Sequence, residues 1–269
     1  MSDLSQTPKI SGIPNHSRAG RRLKARTDGR SEQLAPRLYR LPALVISWIV
    51  ANVGAVLLAG CMIGLGFFVT KVVLTSGTIS RADDRFPNWL AGQRTPSRTD
   101  WSYVGSMIGD TPVIVSVVGL VALALVLRRR WRMASFVVQA ILAEVLVYGI
   151  TVRFIERDRP PVPRLDHYSP THSFPSGHTA AAVAVYGSIA LLLAAHFKAR
   201  PLRVAIWSVA IALPLIVALA RMYRGMHHPI DVTAGALMGV AALLIAMFAA
   251  RTSRAAAEVR AGRRLETFS

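Results

Sequence analysis

Apolar residues fall into long runs separated by short basic or proline-containing breaks, instead of alternating or recurring every three to four positions. Leu41 to Val73 is nearly uninterrupted up to Lys71, which exceeds the roughly 20 residues a helix needs to cross a bilayer. Five further runs follow, at about Tyr103 to Leu127, Met133 to Val152, His178 to Phe197, Val204 to Ala220 and Ile230 to Ala250. Asp110 and Pro112 shorten the second, and Pro214 is expected to kink the fifth. The pattern predicts an all-α polytopic membrane protein, with six transmembrane helices bundled within 41–250. Residues 1–40 place Lys9, Arg18, Arg21, Arg22 and further cations among Gly, Ser and Pro. They read as a disordered basic arm, with 251–269 as a basic tail.

Composition agrees with a membrane protein: 52% of the 269 residues are hydrophobic, 17% are charged, and the mean hydropathy is +0.40. A net charge of +18 would suit a nucleic-acid binder, so the position of the cations decides. Grouping the arm, Arg128 to Arg132, Lys198 to Arg203 and the tail on one side collects 21 of the 32 Lys and Arg residues. The positive-inside rule then predicts six spans with both termini cytoplasmic, in what is expected to be a bacterial plasma membrane. Topology explains the charge, and the nucleic-acid reading loses its support.

The single cysteine, Cys61, excludes an intramolecular disulfide. Leu58-Ala59-Gly60-Cys61 looks like a lipoprotein cleavage box, but the basic stretch before it is too long and the chain after it stays apolar. Cys61 therefore reads as a packing residue. Gly60 with Gly64, and Gly235 with Gly239, have the four-residue spacing that lets helices approach closely. Glu144, inside the third run, is expected to hydrogen-bond to a neighbouring helix.

The polar chemistry gathers in two connections on the predicted outer side. The first runs from Arg153 through Arg159-Pro160 to Pro175-Ser176-Gly177-His178, and the second from Arg221 through His227 to Asp231. Taken singly, these residues are ordinary: arginines anchor spans to headgroups, and Pro-Ser-Gly is a common capping turn. Together they suit a multiply charged anion, because guanidinium forks match phosphate oxygens and Ser176-Gly177 opens a helix whose free N–H groups attract anions. His227 and Asp231, four apart, have the spacing of a nucleophile and the carboxylate that orients it. His178 suits protonation of a leaving oxygen. His167, His172 and His228 read as loop histidines, and Arg157, Arg164 and Arg224 as rim charges. The second connection carries one carboxylate, Asp231, and no helix has a paired His or Glu ligand set, so neither metal nor other cofactor is expected.

The three segments resemble the signature of the type-2 phosphatidic acid phosphatase superfamily, the lipid phosphate phosphatases. Its pattern is Lys, six residues, Arg-Pro; then Pro-Ser-Gly-His; then Ser-Arg, five residues, His, three residues, Asp. Pro175 to His178 match in full, and Arg221, His227 and Asp231 match with Ala220 in place of Ser. In the first motif the basic residue is Arg153, five residues before Arg159, and Val152 holds the family's lysine position. The resemblance covers about 104–250. It implies a metal-independent membrane phosphatase in which His227 attacks phosphorus, Asp231 polarises His227 and His178 protonates the leaving group. Arg159, Ser176, Gly177 and Arg221 would hold the phosphoryl oxygens, with Arg153 reaching them across the shortened motif. The implied substrate is a lipid phosphate or isoprenoid diphosphate, met among membrane lipids at the outer face. A lipid-phosphate transporter or flippase could use the same basic site for binding alone; a vanadium-dependent haloperoxidase shares the motifs but is soluble.

Overall fold

The computed structural model describes residues 30–166 and 172–266; most of the basic arm, His167 and the last three residues lie outside them. Nine α-helices and one π-helical segment, Val69–Val73, make up the described architecture, and no strand occurs among the described residues. The α-helices are α1 (Arg30–Leu38), α2 (Ala43–Phe68), α3 (Gly77–Gly92), α4 (Pro96–Met107), α5 (Thr111–Leu127), α6 (Trp131–Thr151), α7 (Gly177–His196), α8 (Arg200–Tyr223) and α9 (Pro229–Glu266). Arg30–Leu38 is helical, so the expectation of disorder fails for those residues; Ala35 is buried against Ile46 and Ala256.

Five of the helices are long and apolar enough to cross a membrane, and α4 with α5, bent by 43° at their junction, meets the same measure as a pair, which makes six if the pair is one span. The break falls where Asp110 and Pro112 interrupt the apolar run. Proline at the first turn of α4, α5 and α8 sacrifices an N–H that has no helical partner there anyway. α8 continues through Pro214 as one element.

α9 packs against α2, α6 and α7, and small residues make this possible. Ala55 and Ala59 of α2, Ala143 and Val147 of α6, Ala180 of α7, and Ala234, Met238 and Ala242 of α9 form one buried cluster. A second joins Ile114 and Val118 of α5 to Val137 and Ala140 of α6, Val185 of α7 and Ala246 of α9. A Cβ on Gly235 would lie 2.3 Å from the Ser176 carbonyl oxygen, and one on Gly239 would lie 2.5 Å from that of Ala180. These two glycines do allow close helix approach, whereas Gly60 and Gly64 face open space and Cys61 is exposed, contrary to the packing roles expected of them. Glu144 is buried in α6, but the side-chain bond joining α6 to α2 is Ser47 to Gln139, at 2.9 Å.

Large apolar side chains remain exposed along the long helices, Leu57 at 67%, Leu120 at 68% and Leu215 at 63% among them. In water such a surface would aggregate; in a bilayer it is the solvated face. α3 is different. Its buried residues Asp83, Pro87 and Leu90 recur at i, i+4 and i+7, one stripe of an otherwise exposed helix. The sequence reading placed no helix between the first two spans, because this stripe holds a single large apolar residue, Leu90.

Candidate active site

A cavity of about 290 Å³ opens at the end of the bundle where α4, α6 and α8 finish and α5, α7 and α9 begin. It is lined by His227, His178, Arg221, Arg159 and Gly177 from the sequence motifs. Tyr103, Ser106, Asp110, Tyr148 and Asp166 line it too, and no motif flagged them.

His227 lies in the tight connection between α8 and α9. The turn depends on Gly225, whose φ of +73° favours glycine and whose Cβ would meet Val162 at 2.8 Å. His227 Nδ1 is 2.7 Å from the Ser173 carbonyl oxygen. A carbonyl only accepts, so Nδ1 carries the proton and Nε2 keeps the lone pair. Burial holds the His227 pKa well below its ordinary value, and the nearby Arg221, Arg159 and His178 push it further down. The ring is therefore neutral at neutral pH, the form a nucleophile needs.

Asp231 is fully buried in the first turn of α9, and its Oδ2 lies 3.9 Å from His227 Nδ1, beyond hydrogen-bond reach. The two are linked instead through Ser173, whose hydroxyl donates to Asp231 while its carbonyl accepts from His227. Asp231 also accepts from the His228 backbone N–H at 2.8 Å and faces His228 Nδ1 at 3.1 Å. Its other oxygen accepts from Arg157.

Arg157 is accordingly no rim charge. It is 8% exposed and joins Asp231 to Asp83 of α3. Asp83 in turn accepts from the Ile230 N–H at 3.0 Å, satisfying one of the free donors at the start of α9. His228 is no ordinary loop histidine either, since its Nε2 meets Asp84 of α3 at 3.1 Å. Arg224, also expected at the rim, is buried, paired with Asp166 and bonded to Ser102 Oγ at 3.0 Å. α3 and the loop before α7 thus hold the α8–α9 connection from both sides.

Arg221 donates from Nη1 to Ser106 Oγ at 3.0 Å and to Asp166 at 2.7 Å. Its Nε is buried with no hydrogen-bond partner among the described residues. Arg159 donates from Nη1 to the Met226 carbonyl at 2.6 Å. Burial and the adjacent Arg221 lower its pKa, as happens when cations are held together.

Arg153 does not reach the cavity. α6 ends at Thr151, and on the turn that follows Val152 and Ile155 take the buried directions, which leaves Arg153 and Phe154 exposed. Ser176 is buried with its hydroxyl 3.0 Å from Thr179 Oγ1 and its N–H on the Asp231 carbonyl. Gly177 presents backbone to the cavity, packed so closely against Tyr148 that a Cβ would sit 3.0 Å from the ring. Among the described residues no group of three His, Cys, Asp or Glu is placed to hold a metal ion.

Residues 133–255, from α6 into α9, match the model of the PAP2 superfamily and carry every motif residue described above. Phosphatidylglycerophosphatase B of Bacillus subtilis is 34% identical over 97 residues, which cover 35% of this chain and 47% of that protein. The chain thus spans about half the length of that curated relative. The fold is similar to the crystal structure of a transmembrane PAP2-type phosphatidylglycerolphosphate phosphatase from Bacillus subtilis, with a TM-score of 0.61 and 22% identity over 69% of this chain and 92% of that one. With its lipid-facing helices, the chain is an all-α integral membrane protein.

Proposed function

We propose that the protein is a lipid phosphate phosphatase working through a phosphohistidine at the extracytoplasmic face. The observation that carries this reading is the pairing, in one cavity, of a buried and unpartnered Arg221 Nε with a neutral His227 whose Nε2 holds a free lone pair. A phosphoryl group supplies what both lack: an oxygen acceptor for the guanidinium and an electrophilic centre for the imidazole.

In the first step His227 Nε2 bonds to phosphorus while the bond to the leaving oxygen breaks and His178 protonates that oxygen. Water then attacks the phosphohistidine, giving a proton back to His178 and releasing phosphate. Arg159, Arg221 and the Gly177 backbone would hold the phosphoryl oxygens, a task of positioning and charge stabilisation. The partition of basic residues supports an outward-facing site with both termini inside. The relatives' names support phosphatidylglycerol phosphate as the first substrate to try, within the wider class of lipid phosphates and isoprenoid diphosphates.

Phosphate release from such lipids by the purified protein in detergent tests the reading, with acid quenching to trap a labile phosphohistidine. Turnover should persist in excess chelator and vanish in His227→Ala. A protein that binds lipid phosphate without releasing phosphate would be a carrier, and the proposal would fall.

A further inference from the structure

The bend in the second span places a carboxylate on the second histidine. Asp110 ends the α4–α5 break, and its Oδ1 lies 2.7 Å from His178 Nε2. The approach relies on Gly109, where a Cβ would sit 3.0 Å from the His178 carbonyl oxygen and 2.7 Å from Val217. Both side chains line the cavity and stay partly accessible, His178 at 29% and Asp110 at 36%. Asp110 lies outside the segment that matches the superfamily model.

We propose that Asp110 is the positioning residue of the general acid, fixing the His178 ring through Nε2 and stabilising its charged form so that Nδ1 delivers the proton to the leaving oxygen. This rests on the phosphatase reading above. A carboxylate accepts only, so the Nε2 facing it bears a proton, and an acid must then carry its transferable proton on Nδ1. That nitrogen has no hydrogen bond among the described residues. The charged groups facing His178 are Asp110 from the α4–α5 break, Arg221 from α8 and Asp166 from the loop before α7, and the titratable His227, neutral here, lies beside them. Arg221 opposes a cationic imidazole, and Asp166 is already paired with Arg221 and Arg224. Asp110 is the carboxylate that contacts the ring. As the P–O bond breaks, its electron pair stays on the leaving oxygen, which takes the Nδ1 proton; His178 becomes neutral with its Nε2–H still on Asp110. The water that attacks the phosphohistidine restores the lost proton.

The test compares a lipid phosphate monoester, whose alkoxide needs protonation, with p-nitrophenyl phosphate, whose phenolate leaves without it. Asp110→Asn, with folding checked by size exclusion and melting temperature, should lose about tenfold or more in kcat on the lipid and much less on the aryl ester. The alkaline limb of its pH profile on the lipid should move to lower pH, and adding Asp110→Asn to His178→Ala should cost nothing further. Equal losses on both esters with an unmoved limb would overturn the proposal and leave Asp110 a structural residue. A gain in activity would also overturn it, because Asp110 would then be occupying the leaving-group position. If wild-type protein releases phosphate from neither ester, the phosphatase reading itself fails; if it cleaves both, only the role of Asp110 is at stake.

Discussion

Replacing Arg157 by methionine keeps most of the side-chain length and removes the charge between Asp83 and Asp231. Both carboxylates are nearly inaccessible, at 3% and 0% exposure, so water cannot take over from the guanidinium. Removing one partner of a buried ion pair typically costs about 3–5 kcal/mol, because the remaining charge is stranded. Here two charges are stranded. Asp83 keeps the Ile230 N–H, and Asp231 keeps Ser173 and the His228 N–H, which favours the lower part of that range. For a chain of this size the melting temperature in detergent should drop on the order of 10 °C. Since Asp231 holds Ser173, and Ser173 fixes the His227 ring, kcat/KM should fall as well. Arg153→Ala, on an exposed turn four residues earlier, should change stability by no more than about 0.5 kcal/mol and leave turnover intact. Melting curves and phosphate release on the two variants check both statements. An Arg157→Met protein as stable and active as wild type, or a damaging Arg153→Ala, would refute the reasoning.

The lowered His227 pKa fixes a pH dependence. The folded protein takes up this proton at lower pH than the unfolded chain, so stability from this group is complete above about pH 6.5 and declines as pH falls below it, a slope that His227→Gln should remove. The acid limb of kcat/KM should likewise lie below pH 6.5; a limb above that value would contradict a neutral, buried nucleophile. Arg221→Lys keeps the charge but loses the fork and the unpartnered Nε, and should reduce kcat/KM more than tenfold, equivalent to about 1.5–3 kcal/mol; a loss within threefold would mean that Nε does not meet phosphate. Labelling of single cysteines in a Cys61→Ala background should reach Gly92→Cys from outside and spare Arg130→Cys, and the reverse pattern would invert the orientation.

The bundle and the motif residues were legible in the sequence for the same reason: both depend on short-range order. An apolar run of 20 residues announces a span wherever it occurs, and His227 and Asp231 keep their spacing because one turn of backbone carries both. The break in the second span was visible as Asp110 and Pro112, though nothing in sequence showed that it aims Asp110 at a histidine 68 positions away. Arg157 reads as one more loop cation until α3 folds back, because its two partners, Asp83 and Asp231, are each 74 residues distant. Arg153 failed for the converse reason. Motif spacing made it a candidate, but the turn after α6 buries Val152 and Ile155 and leaves no inward direction for the residues between them.

The rigidity of the α8–α9 connection has its source in these long-range pairs. Deep in a bundle, apolar packing would fix a side chain, but at the mouth of a polar cavity few apolar atoms are available to do so. Buried ion pairs serve instead, from Arg157 in the loop before α7 to Asp83 of α3 and to Asp231 at the start of α9, with His228 hydrogen-bonded between Asp231 and the partly exposed Asp84. Such pairs add little net stability compared with apolar packing, but they are intolerant of misregister, since any shift strands a charge without water. On the proposed mechanism the intolerance suits a site where the His227 Nε2 would have to stay in line with phosphorus, because a misplacement of about 1 Å costs on the order of a hundredfold in rate. On the proposed mechanism α3, which carries no motif residue, would serve the site as an outer clamp on the α8–α9 connection. Asp83→Asn should then lower kcat with little change in KM, whereas a role confined to folding would lower only the yield of active protein.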